Sequence, residues 1–267
     1  MQTNPVVTFR EPSDSSEIQD LKGRWQRSLH AQQDGMWETL TNLARDIVIL
    51  KNDKIIGYAS IDDTDCLLQF YLVESCLHQG NKILLDLARD QQVERALVGT
   101  HNPIFLSAIL PVHKTLKVHT LLFQDSVAIH SDDSFGHMQL AKEENLDDLV
   151  EFYHVSMDGP KEWLSGYLGN LIQRSELYFL NKGQEIIGGC EVRKSDSNAD
   201  YADLGMVVSP AHRKKGLGTW LLGKAKSIAL TQNKKPICSC EAENMGSLKA
   251  IEQNGFRSIH QMLLITI

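Results

Sequence analysis

Long apolar runs are missing from this chain. The most hydrophobic stretch, residues 97–112, is interrupted by His101, Asn102, Pro103 and Pro111, so it is not expected to cross a bilayer. Residues 1–16 show neither a basic start nor an apolar core, and no signal peptide is expected. Cysteine is sparse. The five (Cys66, Cys76, Cys190, Cys238, Cys240) are odd in number and lack C-x-x-C spacing. Cys238 and Cys240 share a strand face, but further ligands are not near them in sequence, so no metal site is expected. Small buried thiols in a reducing, cytoplasmic compartment fit this pattern. Positive charge is also short, with 27 Lys and Arg against 34 Asp and Glu, a net of −7. Residues 1–136 hold 12 basic and 18 acidic side chains, and residues 137–267 hold 15 and 16. That balance argues against nucleic acid as a partner.

What is present is globular. The chain has 267 residues, 42% hydrophobic and 23% charged, enough for two ordinary domains. A polar stretch, Ser131-Asp132-Asp133-Ser134 followed by Gly136, reads as a linker. It predicts one domain over 1–130 and another over 137–267.

An internal repeat supports that division. "ILKNDKIIGYASI" (49–61) and "YFLNKGQEIIGGCEV" (178–192) both read as strand, polar turn and strand, with Ile-Ile-Gly opening the second strand. Each hairpin precedes another strand (67–74 and 202–209) and then a helix (81–91 and 218–230). Upstream, Ile18, Leu21, Trp25 and Leu29 form a helical stripe in the first half. Leu146, Leu149, Val150 and Tyr153, then Trp163, Tyr167 and Leu171, do so in the second. Each half reads β-α-α-β-β-β-α-β-α-β, with the last helix of the first half faint.

The strand–turn–helix "VVSPAHRKKGLGTWLL" (207–222) concentrates the chemistry. Free amides and the dipole at a helix start favour an anion. Gly216 and Gly218 let it approach the backbone, and Arg213, Lys214 and Lys215 add charge. The spacing matches neither a Walker A loop nor Gly-x-Gly-x-x-Gly.

The segment Arg213-Lys214-Lys215-Gly216-Leu217-Gly218 resembles the acetyl-CoA loop of the GNAT N-acetyltransferase superfamily, Arg/Gln-x-x-Gly-x-Gly/Ala. "PICSCEAENMGSLKAIEQNGF" (236–256) resembles the same superfamily's strand, Asn-x-x-Ser/Ala segment and closing Gly-Phe, at Asn244, Ser247, Gly255 and Phe256. The resemblance is close over 137–267 and extends to the first half only in layout. It implies an α/β (α+β) fold of two tandem GNAT-like domains, each a mixed, mostly antiparallel twisted sheet flanked by helices. It further implies that acetyl-CoA is the co-substrate. Backbone amides of 214–219, Thr219 included, would hold its pyrophosphate, and Met206, Val207 and Val208 would line its pantetheine arm. A primary amine of a small molecule or peptide would be the acceptor.

Two departures stand out. The superfamily often has Tyr seven residues after the Asn, as proton donor to the departing thiolate, and here that residue is Ile251. The general base is open between Asp203, the first choice, Glu241 and Glu191. In the first half, aligning Val73 with Val208 puts His78, Asn81 and Ile83 at the places of Arg213, Gly216 and Gly218, so that domain is expected to keep the fold and lack the coenzyme. It would wall the substrate cleft or form a homodimer surface. A non-catalytic acetyl-CoA sensor or structural protein is the alternative function. Neither nucleic acid nor membrane is expected as a partner.

Overall fold

Two Ile-Ile-Gly hairpins, one in each half of the chain, organise the strands around them. The computed structural model describes residues 6–127 and 134–267. Ser131, Asp132 and Asp133 of the expected linker lie outside the described residues. The chain divides into two units, Met1–Leu121 with His260–Ile267, and Leu122–Ile259. Each is mixed α/β and mostly antiparallel.

In unit 1, β1 (Val7–Arg10), α1 (Gln19–Ser28), α2 (Gly35–Leu43), β2 (Arg45–Lys51), β3 (Lys54–Ile61) and β4 (Cys66–Leu72) follow in order. Then come α3 (Gly80–Asp90), β5 (Arg95–Gly99), α4 (Pro103–Ile109) and β6 (Thr115–Asp125), whose last residues enter unit 2. The α1 stripe buries as its spacing predicts: Ile18, Leu21 and Trp25 pack on Val48, Leu50, Tyr58 and Tyr71. Asp34 caps α2 by accepting from Trp37 N at 2.7 Å. Strands β1 to β4 pair antiparallel, and β4 then pairs parallel with β5 only at Cys66/Arg95 and Leu67/Ala96.

Unit 2 repeats this order with β7 (Gln139–Leu140), α5 (Leu146–Met157), α6 (Lys161–Gln173), β8 (Leu177–Lys182), β9 (Glu185–Lys194), β10 (Tyr201–Val208), α7 (Leu217–Thr231), β11 (Lys235–Glu241) and α8 (Met245–Gln253). Its strand order is β11-β10-β9-β8-β7. The buried stripe of α6 is Leu164, Leu168 and Leu171, so Leu171 of the expected Trp163-Tyr167-Leu171 stripe is buried and the other two positions shift by one. Leucine fills the interior, and Trp163, 40% exposed, stacks on Tyr167 with ring centroids 4.8 Å apart and planes 11° apart.

The final strand β12 (Phe256–Thr266) differs most from the sequence reading. The whole of 137–267 was expected in one domain, yet His260–Ile267 belongs to unit 1. Met262 to Thr266 pair antiparallel with Gly99 to Arg95, and Leu263, Ile265 and Ile267 enter the unit 1 core. Their alternation is what a half-buried strand requires, and it does not specify which sheet receives it. No helix among the described residues is long and apolar enough to cross a membrane.

Candidate active site

Strand β10 leaves β11 early. The two pair in parallel at Tyr201/Lys235, Ala202/Pro236 and Asp203/Ile237. Beyond Asp203, β10 keeps its antiparallel partner β9 alone among the described residues, through to Val208 opposite Gly188. The opening is a cleft of about 830 Å³. Met206, Val207 and Val208 form its strand wall, Asn244 and Ser247 its α8 wall, and Arg213, Lys214, Gly216, Gly218 and Thr219 its mouth.

The mouth is built from backbone. Pro210–His212 make a short 3-10 turn, then Lys214 (φ 60°) and Gly216 (φ 83°) take left-handed conformations. The glycine adopts this freely; the lysine does so at a cost. The first bond into α7 is Trp220 N donating to Gly216 O at 3.1 Å. No side chain caps the helix, and no hydrogen bond among the described residues uses the amides of 214–219. Gly218 has ordinary dihedrals, but a Cβ there would sit 3.3 Å from Met206 Sδ and 3.5 Å from Val208 Cγ2. Unpartnered amides at a helix start, a splayed strand and two glycines fit a phosphate-bearing ligand whose tail runs along β10.

Not every expected residue faces this ligand. Arg213 stays exposed at the mouth, but its guanidinium is spent on the carbonyls of Ser156 and Val208, to which it donates, stapling the loop to α5 and β10. Lys215 donates to Ala211 O at 2.9 Å and Leu217 is buried, so neither lines the cleft. Sequence reading also missed Ser156 and Met157 at the end of α5, together with Ala250 and Gln253 on α8. The last two were legible. Asn244, Ser247, Ala250 and Gln253 recur every three residues, so each lies beside the next along a row that winds slowly around the helix. Asn244 Oδ1 accepts from Ser247 N at 3.1 Å, so the Asn starts α8 as its cap. Ile251 is buried and does not line the cleft, and no tyrosine does.

The candidate bases separate in space. Glu241 is exposed at the end of β11. Asp203 is buried and paired with the Arg193 guanidinium. Glu191 lies opposite Gly205, one residue from Met206, and Gly205 brings nothing larger than hydrogen against its carboxylate. Tyr167 donates to Glu191 Oε2 at 2.6 Å, and Arg193 donates to Tyr167 Oη at 2.7 Å and lies 3.5 Å from Glu191. Burial, then the Glu191 charge, pushes the Tyr167 hydroxyl well above its usual range, so it stays protonated and remains a donor.

Unit 1 shows the same frame with the space filled. Gly57 pairs with Leu72 as Gly188 pairs with Val208. That register moves the comparison by one from the sequence alignment. Gly80 stands at the place of Gly216, Lys82 at Gly218 and Ile83 at Thr219. One glycine therefore remains, but it is helical (φ −54°), and a Cβ on it would lie 3.3 Å from Ala108 Cβ. The helix expected to be faint, α4, is capped by Asn102, whose Oδ1 accepts from Phe105 N at 3.2 Å, as Asn244 does from Ser247. Phe105 thus occupies the counterpart of Ser247 and packs on Phe70 with centroids 5.8 Å apart. The remaining cleft is about 220 Å³. Ser60 and Leu67 stand at the places of Glu191 and Asp203.

Comparison with known proteins agrees with this repeat. The acetyltransferase (GNAT) domain model matches residues 14–126, and the acetyltransferase (GNAT) family model matches residues 138–256. An acetyltransferase from the GNAT family of Colwellia psychrerythraea is 28% identical, with TM-score 0.88 over 97% of this chain and 99% of that one. A GCN5-related N-acetyltransferase from Sphaerobacter thermophilus shares the fold at 12% identity, with TM-score 0.69 over 98% and 95% of the two chains. A tandem GNAT protein from the clavulanic acid biosynthesis pathway shares it at 13% identity and TM-score 0.66, over 98% of each chain. No curated protein matches. With one GNAT model on each half and a frame that repeats strand for strand, the chain belongs to the GNAT acetyltransferase family and carries two tandem GNAT domains.

Proposed function

We propose that unit 2 transfers the acetyl group of acetyl-CoA to a primary amine of a small molecule or peptide, and that unit 1 binds no coenzyme. The observation that carries this reading is the unpaired amide run 214–219 opening onto the splayed edge of β10. The amides of 214–219 hold the pyrophosphate, and the free edge of β10 from Gly205 to Val208 pairs with the pantetheine arm. When bound, acetyl-CoA supplies a reactive thioester. A main-chain amide near Met206 polarises its carbonyl. Glu191 takes the proton from the incoming ammonium, so the amine can attack as a neutral nucleophile. Tyr167 and Arg193 hold that carboxylate in place. Asp203, the first choice from sequence, anchors Arg193 instead. A thiol titrates near pKa ~8.5, so the departing thiolate needs no strong acid, consistent with the aliphatic Ile251.

The test is amine-dependent release of free thiol from acetyl-CoA across an amine library. Glu191→Gln should lower that rate by about a hundredfold or more with coenzyme affinity unchanged. Coenzyme binding without acetylation of any amine would instead favour a sensor or structural role.

A further inference from the structure

Unit 2 holds a second cleft, of about 570 Å³, whose lining shares only Ser156 with the first. One wall is a stripe on α5: Asp148, Glu151, Phe152, Val155 and Ser156, spaced so that all share one face. From Asp148 to Ser156 the helix rises about 12 Å. The wall is acidic at its first turn and apolar at its last. Across it, Glu185 stands at the acidic end of the β8–β9 hairpin, and Phe179 and Ile186 supply an apolar floor. Pro210 and Ala211 also line it.

Two oxygens here have no hydrogen-bond partner among the described residues. Ser156 is 7% exposed, and its Oγ makes no hydrogen bond. Asn181 Oδ1, also at this cleft, is buried without a donor. Glu151 is neutralised by Lys161. Asp148 and Glu185 form no ion pair among the described residues, and no basic side chain lines the cleft. Acceptors without donors, two uncompensated carboxylates and a hydrocarbon floor repel an anion and suit a cation with an apolar body.

We propose that this cleft is a binding site for an organic ammonium compound, with its cationic nitrogen between Asp148 and Glu185, one N–H donated to Asn181 Oδ1, and its apolar body toward Val155 and Pro210. The site borders the coenzyme loop. Ser156 lines both clefts and its carbonyl holds Arg213, while Ala211 O holds Lys215. Any change in coenzyme affinity on occupancy is matched by an equal change in occupancy on coenzyme binding.

The probe is N,N-dimethylhexylammonium, a tertiary ammonium ion that cannot give a stable acetamide. It is titrated calorimetrically into the full chain, with and without coenzyme A. Saturable binding at one site is expected. Asn181→Leu alone, and Asp148→Asn with Glu185→Gln, should each weaken it by about fivefold or more. Coenzyme affinity in the absence of the probe should not change, and hexanoate should not bind. The exposed acidic pair keeps the test valid if Asn181→Leu does not fold. Absence of saturable binding overturns the proposal. So does binding that survives the Asp148/Glu185 changes, or that Glu191→Gln abolishes while Asn181→Leu leaves it intact, since the probe would then occupy the acceptor site.

Discussion

The two units bend the same frame to opposite ends. Each has a parallel strand pair that separates early, a helix fed by the first strand, and a second helix capped by Asn. In unit 2 the separation stays open at about 830 Å³, and β10 is only half-buried from Gly205 to Val208. In unit 1 every residue of β4 is buried and about 220 Å³ remains. A few side chains account for the difference. Phe105 replaces Ser247, Lys82 replaces Gly218, and Gly80 turns helical to admit Ala108. A splayed strand pair therefore does not by itself leave a large cleft; what fills the gap decides.

The sharpest way to break the comparison is to empty unit 1. Phe105→Ala removes a fully buried ring and should destabilise the protein by about 3–5 kcal/mol, read by denaturant melts. It should create no coenzyme site, because Lys82 and the helical Gly80 leave no phosphate mouth.

Acid should strain unit 1 through one histidine. His101 is 1% exposed, and its ring nitrogens make no hydrogen bond among the described residues. Burial first, then His260 and His30, holds its pKa down at about 4. The unfolded chain accepts this proton near pH ~6.5 and the folded unit refuses it. Stability from this group is thus complete above pH ~6.5 and declines as pH falls toward about 4, by up to about 3 kcal/mol. Thermal melts across that window should steepen in the wild type and flatten in His101→Asn.

Two glycine substitutions should give opposite outcomes. Gly218→Val crowds Met206 and Val208 in unit 2 and should weaken coenzyme A binding by about tenfold or more, the loss of one or two phosphate hydrogen bonds at about 1.5–3 kcal/mol each, with little change in melting. Gly80→Val drives into Ala108 and should cost about 1–3 kcal/mol of stability without touching coenzyme affinity.

Local features were readable in the sequence because they depend on near neighbours. The hairpins, the α1 stripe and the basic turn follow from spacing and turn chemistry, as does Asn244 at a helix start. Three features were not readable, each for lack of a distant partner. The strand 256–266 alternates correctly, but its alternation does not say that unit 1 accepts its last half. Arg213 reads as a phosphate ligand until the Ser156 carbonyl is brought beside it. Asp203 reads as a base until Arg193 is seen to hold it. The one-residue error in aligning the halves came from matching valines; the Gly57/Leu72 and Gly188/Val208 pairings correct it.

Titration of the full chain with coenzyme A, followed by calorimetry, tests the central difference directly. One site per chain, lost in Gly218→Val and retained in Gly80→Val, is the predicted result. Two equivalent sites, or a single site that Gly80→Val removes and Gly218→Val leaves untouched, would contradict it.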